Sequence, residues 1–140
     1  MRISARCDYA CKALVSLSLH WPSEEPLSIQ TISDAQEIPM RYLVQILIQL
    51  KRAGLVVSTR GKSGGYLINK SPQKITLGEV VRNIQGPLMT VAQENGKQDP
   101  ILNTMWTDIA HLIDHEMNKI NFASLSRHYK RRETAYMYHI

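Results

Sequence analysis

Between Ser28 and Asn69 the apolar residues change their spacing from the 3.6-residue period of a helix to the two-residue period of a strand, and few architectures accommodate that change. Ser28 is a good N-cap, with Leu27 and Ile32 placed as a hydrophobic staple, so a short helix with Ile29, Ile32 and Ala35 inward is predicted after it. Pro39 fits the first turn of a further helix reaching Ala53, whose buried stripe is Met40, Leu43, Ile46, Leu47 and Leu50. Gly54 is the expected stop, because glycine accepts the left-handed conformation beyond a helix end. Leu55 to Thr59 then reads as a strand and Tyr66 to Asn69 as its partner, joined by the glycine-rich tip Arg60-Gly61-Lys62-Ser63-Gly64-Gly65. Two short helices, a tight turn between them and a hairpin directly after make a winged helix-turn-helix. The predicted fold class is mostly α with a small β-hairpin wing.

The flanking segments extend this plan. A first helix is predicted from about Ser4 to His20, with Cys7, Ala10, Cys11 and Leu14 on one stripe, ended by the loop Trp21 to Pro26 with its two prolines. Thr76 and Glu79 form a capping box opening a fourth helix, with Leu77, Val80, Val81 and Ile84 inward and Gly86-Pro87 as its close. Leu88 to Asp99 has little pattern and reads as a loop. Asp99-Pro100 then caps a long amphipathic helix from Ile101 to about Asn121. A helix of about 20 residues is roughly 30 Å long, as wide as a small domain, which cannot cover such a stripe alone. Ile101, Met105, Ile109, Leu112, Ile113 and Ile120 are therefore the expected dimerisation residues of a homodimer. The predicted organisation is a DNA-binding domain over 1–86, a loop and dimerisation helix over 87–125, and a basic flexible tail over 126–140.

Charge narrows the function. Residues 1–86 carry 11 Lys/Arg against 6 Asp/Glu and so hold the whole net +5, whereas 87–140 balance at 6 and 6. Between Glu37 and Glu79 there is no acid, yet Arg41, Lys51, Arg52, Arg60, Lys62, Lys70 and Lys74 all fall there. A folded segment of one sign repels itself, and that arrangement makes most sense facing a polyanion; a solvated basic face is the plain alternative. No apolar run approaches the roughly 20 residues of a membrane helix, and charges interrupt the pattern of Met1 to Leu19, so neither a membrane nor a signal peptide is expected. A cytoplasmic location follows as the expectation. Gly61-Lys62-Ser63 resembles the end of a phosphate loop, but that motif needs a glycine where Val56 stands. No nucleophile–base pairing is apparent either, so no enzyme is predicted.

Met1-Arg2-Ile3-Ser4, Tyr9-Ala10, Ala13-Leu14, Ile38-Pro39, Tyr42-Leu43, Leu50 to Val56, Arg60-Gly61, Gly64-Gly65-Tyr66 and Thr76 to Val80 occur in an order that resembles the Rrf-type (Rrf two) family of bacterial winged-helix transcription regulators. The resemblance covers about Met1 to Leu125. It implies a homodimer that docks two recognition helices in successive major grooves of a near-palindromic operator on double-stranded DNA, with the wings in the flanking minor grooves. Cluster-binding members carry three cysteines between the fourth helix and the long one, and Gly86 to Trp106 contains none here. Asp8 matches a non-cysteine ligand position of some members, but one carboxylate cannot hold a cluster. No cofactor is predicted, and no iron–sulfur cluster is carried over.

Site residues follow from the expected docking. The N-terminal part of a recognition helix reaches base edges, which assigns readout to Arg41, Tyr42 and Gln45 with Met40 close by; for Tyr42 a core position is the alternative. Arg60 and Lys62 at the tip are assigned to the minor groove, with Gly61, Gly64 and Gly65 allowing close approach to phosphate. Cys7 and Cys11 read either as small buried hydrophobes or as redox-active thiols. Asp108, His111 and His115 share one edge of the long helix and read as a polar face rather than a metal site. Arg127, Lys130, Arg131 and Arg132 are assigned either to phosphate contact or to a solvated tail. The function predicted is a sequence-specific repressor, against the alternative of a protein-interaction adaptor without an operator. Its signal stays open among a small molecule, a partner enzyme, thiol oxidation and a metal.

Overall fold

The computed structural model describes residues 1–91 and 99–138. Within them lie α1 (Ala5–His20), α2 (Ile29–Gln36), α3 (Met40–Arg52), β1 (Val56–Thr59), β2 (Gly65–Ile68), α4 (Leu77–Ile84), α5 (Pro100–Asn118) and α6 (Phe122–Tyr138). The expected loop 88–99 falls partly, over 92–98, outside the described residues.

The caps explain the starts. Ser4, Ser28 and Thr76 each accept a hydrogen bond from the backbone N–H three residues on, and Asp99 accepts from Ile101 and Leu102. Each such bond satisfies a donor that the helix itself leaves unpaired. Gly54, at φ +77°, turns the chain out of α3 as expected. Glu37, at φ 54°, does the same after α2 without glycine's freedom.

Helix α1 is the axle of the fold, packing against α2, α3, α4 and α6. Its Leu14 and Leu17 meet Ile32 of α2, Leu43, Ile46, Leu47 and Leu50 of α3, Leu55, Ile75 and Val80 in one buried cluster. Met40 is only half-buried and Ala35 is exposed, so the inward stripes of α3 and α2 are narrower than expected. The hairpin pairs Val56 with Ile68 through Thr59 with Gly65. Leu27, ahead of α2, extends this sheet through a bridge to Tyr66, with hydrogen bonds of 2.9 and 2.8 Å. Gly65 permits it: a Cβ there would lie 2.1 Å from the Leu27 carbonyl oxygen.

The expected flexible tail is instead mostly helix. Helix α6 begins at Phe122, fully buried in the core, with Leu125 and Tyr129 packed partly against it. Ser126 is buried too, its hydroxyl donating to the Phe122 carbonyl at 2.7 Å, which lets a polar residue occupy that face. The start of α6 is pinned by Phe122 N–H to Ile75 O at 3.0 Å and Leu77 N–H to Ile120 O at 2.8 Å. Residues 122–130 thus complete the core of the 1–86 segment. Residues 139–140 of the expected tail lie outside the described residues.

Candidate nucleic-acid interface

Helix α3 divides by face. Leu43, Ile46, Leu47 and Leu50 are buried, while Arg41, Tyr42 and Gln45 are exposed at its N-terminal half. Tyr42 is 45% exposed and so does not take the core position. Its ring lies under the Arg41 guanidinium, 4.8 Å from centroid to Cζ, and its hydroxyl accepts from Arg41 Nη2 at 3.3 Å. On its other side stands Tyr9 of α1, with ring centroids 6.2 Å apart at a 30° tilt. Lys12, itself paired with Asp8 at 3.2 Å, is 5.8 Å from the Tyr9 ring. Two tyrosines between two cations form a row whose quadrupoles favour both charges.

This row borders an open cavity of about 540 Å³ lined by Ala5, Arg6, Tyr9, Arg41, Tyr42 and Gln45. Arg6 and Tyr9 were not among the residues expected from sequence. Tyr9 entered the sequence reading only through the Tyr9-Ala10 motif, which says nothing about α3. The start of α1 is fixed to α4: Ser4 N–H donates to Gln85 Oε1 at 3.0 Å, and Gln85 Nε2 donates to the Arg2 carbonyl at 2.9 Å. Val44 and Ile48 also stand out of α3 into solvent, 37% and 38% exposed. Such apolar groups suit thymine methyls in a major groove.

At the wing, Arg60 and Lys62 are exposed and free of acidic partners among the described residues. Lys51 Nζ donates to Ser58 Oγ at 2.6 Å and Asn69 Nδ2 to the Gly54 carbonyl at 2.9 Å, tying the wing to the end of α3. The glycines differ in role. Gly61 faces open space at φ +109°, whereas a Cβ on Gly64 would lie 2.3 Å from the Thr59 carbonyl oxygen. The close approach at Gly64 is therefore made by the hairpin's own backbone.

Helix α5 has no buried residue. Ile101, Met105, Ile109 and Leu112 are 71%, 55%, 41% and 63% exposed and follow one another at helical spacing. Ile113 is half-buried and turns toward α4, lining a cavity with Val81 and Met117. Ile120 is exposed but lies past the end of the helix. On the α4 side, Arg82 holds Asp114 at 2.9 Å and Asn118 at 3.0 Å.

Residues 3–128 match the profile of the Rrf2 family, described as an iron-dependent transcriptional regulator. The chain belongs to the Rrf2 family. Among its relatives, the HTH-type transcriptional regulator CymR of Bacillus subtilis (strain 168) is 28% identical over the full length of both chains. IscR of Serratia proteamaculans (strain 568) is 31% identical, over 89% of this chain and 79% of its own. In structure, B. subtilis CymR, described as a global cysteine regulator, superposes with a TM-score of 0.80 at 26% identity, over 91% of this chain and 98% of its own. IscR of T. potens does so with 0.74 at 28% identity, over 99% and 96%. The protein is a DNA-binding winged-helix transcription regulator and not an enzyme. None of the described helices is long and apolar enough to cross a membrane.

The iron dependence of the Rrf2 description does not fit the donors of this member. Its only thiols, Cys7 and Cys11, sit four apart on α1, and Cys7 is fully buried in the core-facing stripe. Two thiols on one helix cannot supply the four ligands of a cluster. Among the described residues no three of His, Cys, Asp and Glu converge, His111 and His115 included. Donation of its S–H toward Cys7, then burial, pushes the Cys11 thiol far above the ordinary thiol range, and the same contact draws Cys7 below it. A thiol held in its protonated form is a poor metal ligand and a poor nucleophile.

Proposed function

We propose that this Rrf2 regulator acts in the cytoplasm as a homodimeric repressor of a near-palindromic operator on double-stranded DNA. One observation carries the reading: Arg41, Tyr42 and Gln45 stand exposed on the N-terminal half of α3 while the opposite face is wholly buried. Arginine holds guanine O6 and N7 and glutamine pairs with adenine, so this set reads base edges when α3 enters the major groove. Arg60 and Lys62 of the wing then meet the minor groove, whose narrow A·T tracts concentrate negative potential. The exposed stripe Ile101, Met105, Ile109 and Leu112 joins two copies along α5, and two-fold symmetry in the protein demands a dyad in the site.

DNA-affinity sequencing of the reduced protein against its fragmented genome, at near-physiological salt, tests the whole reading. An inverted repeat overlapping promoters is the expected result. A motif without a dyad overturns the symmetric docking. No motif, together with binding that does not weaken as salt is added, returns the function to an adaptor.

A further inference from the structure

Folding α6 over the winged helix creates a second cavity, of about 340 Å³, at the other end of α1 from Tyr9. Its wall includes Ser18 and Trp21 from the end of α1, Pro72 and Gln73 from a 3₁₀ turn, and Arg127 and Lys130 from α6. Ala5 and Ser18 are roughly 20 Å apart along α1 at 1.5 Å per residue, so this cavity and the α3 groove are separate places. Three observations give it a chemistry. No carboxylate lines it, and Arg127 and Lys130 form no ion pair among the described residues. The single acid of α6, Glu133, lines a neighbouring cavity that shares Leu19 with this one but not Arg127 or Lys130. Ser18 is 6% exposed and its hydroxyl has no hydrogen-bond partner among the described residues, a state in which buried polar groups are seldom left.

We infer that this cavity binds a small anion with an apolar body. The anionic head lies against Arg127 and Lys130, where charge-assisted bonds are strongest, and the apolar part lies along Trp21 and Pro72. Gln73 and Ser18 supply polar contacts, the Ser18 hydroxyl after a small rotation toward the ligand. A phosphate or a carboxylate satisfies the same two cations. The volume suits one small molecule, at the lower end of ordinary ligand sites. The inference is independent of how the operator is read.

Isothermal titration of the full-length protein with phenylphosphate, benzoate and inorganic phosphate tests this, using the double variants Arg127→Ala/Lys130→Ala and Arg60→Ala/Lys62→Ala. Saturable binding of phenylphosphate or benzoate is expected, and whichever is tighter identifies the head group. The α6 variant weakens it at least about tenfold, the loss of one charge-assisted hydrogen bond, and the wing variant leaves it unchanged. Equal losses in both variants, or no saturable heat with either aromatic anion, overturns the site. Inorganic phosphate binding as tightly as phenylphosphate overturns the apolar subsite. Should the α6 variant unfold, amide shifts in the wild type decide. Shifts confined to Trp21, Gln73 and Arg127 support the site, and shifts at Arg41 or Arg60 refute it.

Discussion

Replacing Leu112 with Asp places a charge in the middle of the apolar stripe of α5. Leu112 is 63% exposed, so about two thirds of its side chain is available to be covered by a second copy. Full burial of a leucine is worth about 1.5–3 kcal/mol, so that share contributes about 1–2 kcal/mol per chain. A two-fold interface counts it twice, and the loss is about 2–4 kcal/mol, a rise of roughly 30- to 1,000-fold in the dimer dissociation constant. The aspartate adds the cost of an unpaired charge at the contact, so this range is a lower bound. Sedimentation equilibrium should find wild type near 32 kDa, twice the 16.0 kDa of the chain, and L112D shifted toward the single mass. Because Leu112 is mostly exposed among the described residues, the helical circular dichroism should be unchanged. A dissociation constant that does not move refutes the α5 interface. Loss of helix in the dissociated chain would show instead that Leu112 serves the protomer's own fold.

Three further outcomes are expected. Arg41→Ala should cost about 1–3 kcal/mol of discrimination between the operator and a scrambled duplex, and Tyr9→Ala should reproduce part of that loss while Tyr9→Phe does not, all read by fluorescence anisotropy; equal losses on both duplexes would reduce Arg41 to a phosphate contact. Gly65→Ala should destabilise the protein by about 1–3 kcal/mol in urea unfolding, since its Cβ displaces the Leu27 carbonyl and breaks the two bridge hydrogen bonds; an unchanged midpoint would mean that the bridge is dispensable. Cys11 should resist iodoacetamide in the native state from pH 7 to 9 and react on unfolding, and rapid native labelling would contradict its raised thiol. The two thiols oppose each other in stability: above the ordinary thiol value of 9.0 the unfolded chain releases a proton that native Cys11 keeps, which lowers stability as pH rises, whereas Cys7, drawn down by the same contact, raises stability as pH rises toward that value.

The local elements were legible because each is written in neighbouring residues. Ser28, Thr76 and Asp99 cap helices by reaching backbone groups two or three residues away, and Gly54 ends α3 by its own conformational freedom. The same holds for the division of α3, since a 3.6-residue period determines which side chains share a face. Arg41, Gln45, Arg60 and Lys62 could therefore be named as exposed before any contact was known.

What the sequence alone did not determine depends on residues far apart in the chain. The stripe of Phe122, Leu125 and Tyr129 is short and interrupted by Ser126 and basic residues, so α6 looks like a solvated tail until Ile75 and α1 come to lie beside it. Tyr9 joins the proposed reading face only because α1 carries it to 6.2 Å from Tyr42. The narrow role of Gly64 and Gly65 likewise follows from where the Thr59 and Leu27 carbonyls sit. Periodicity and capping are short-range and survive in one dimension. Which faces meet depends on how helices pack across the core, and that is decided only when distant segments are brought together.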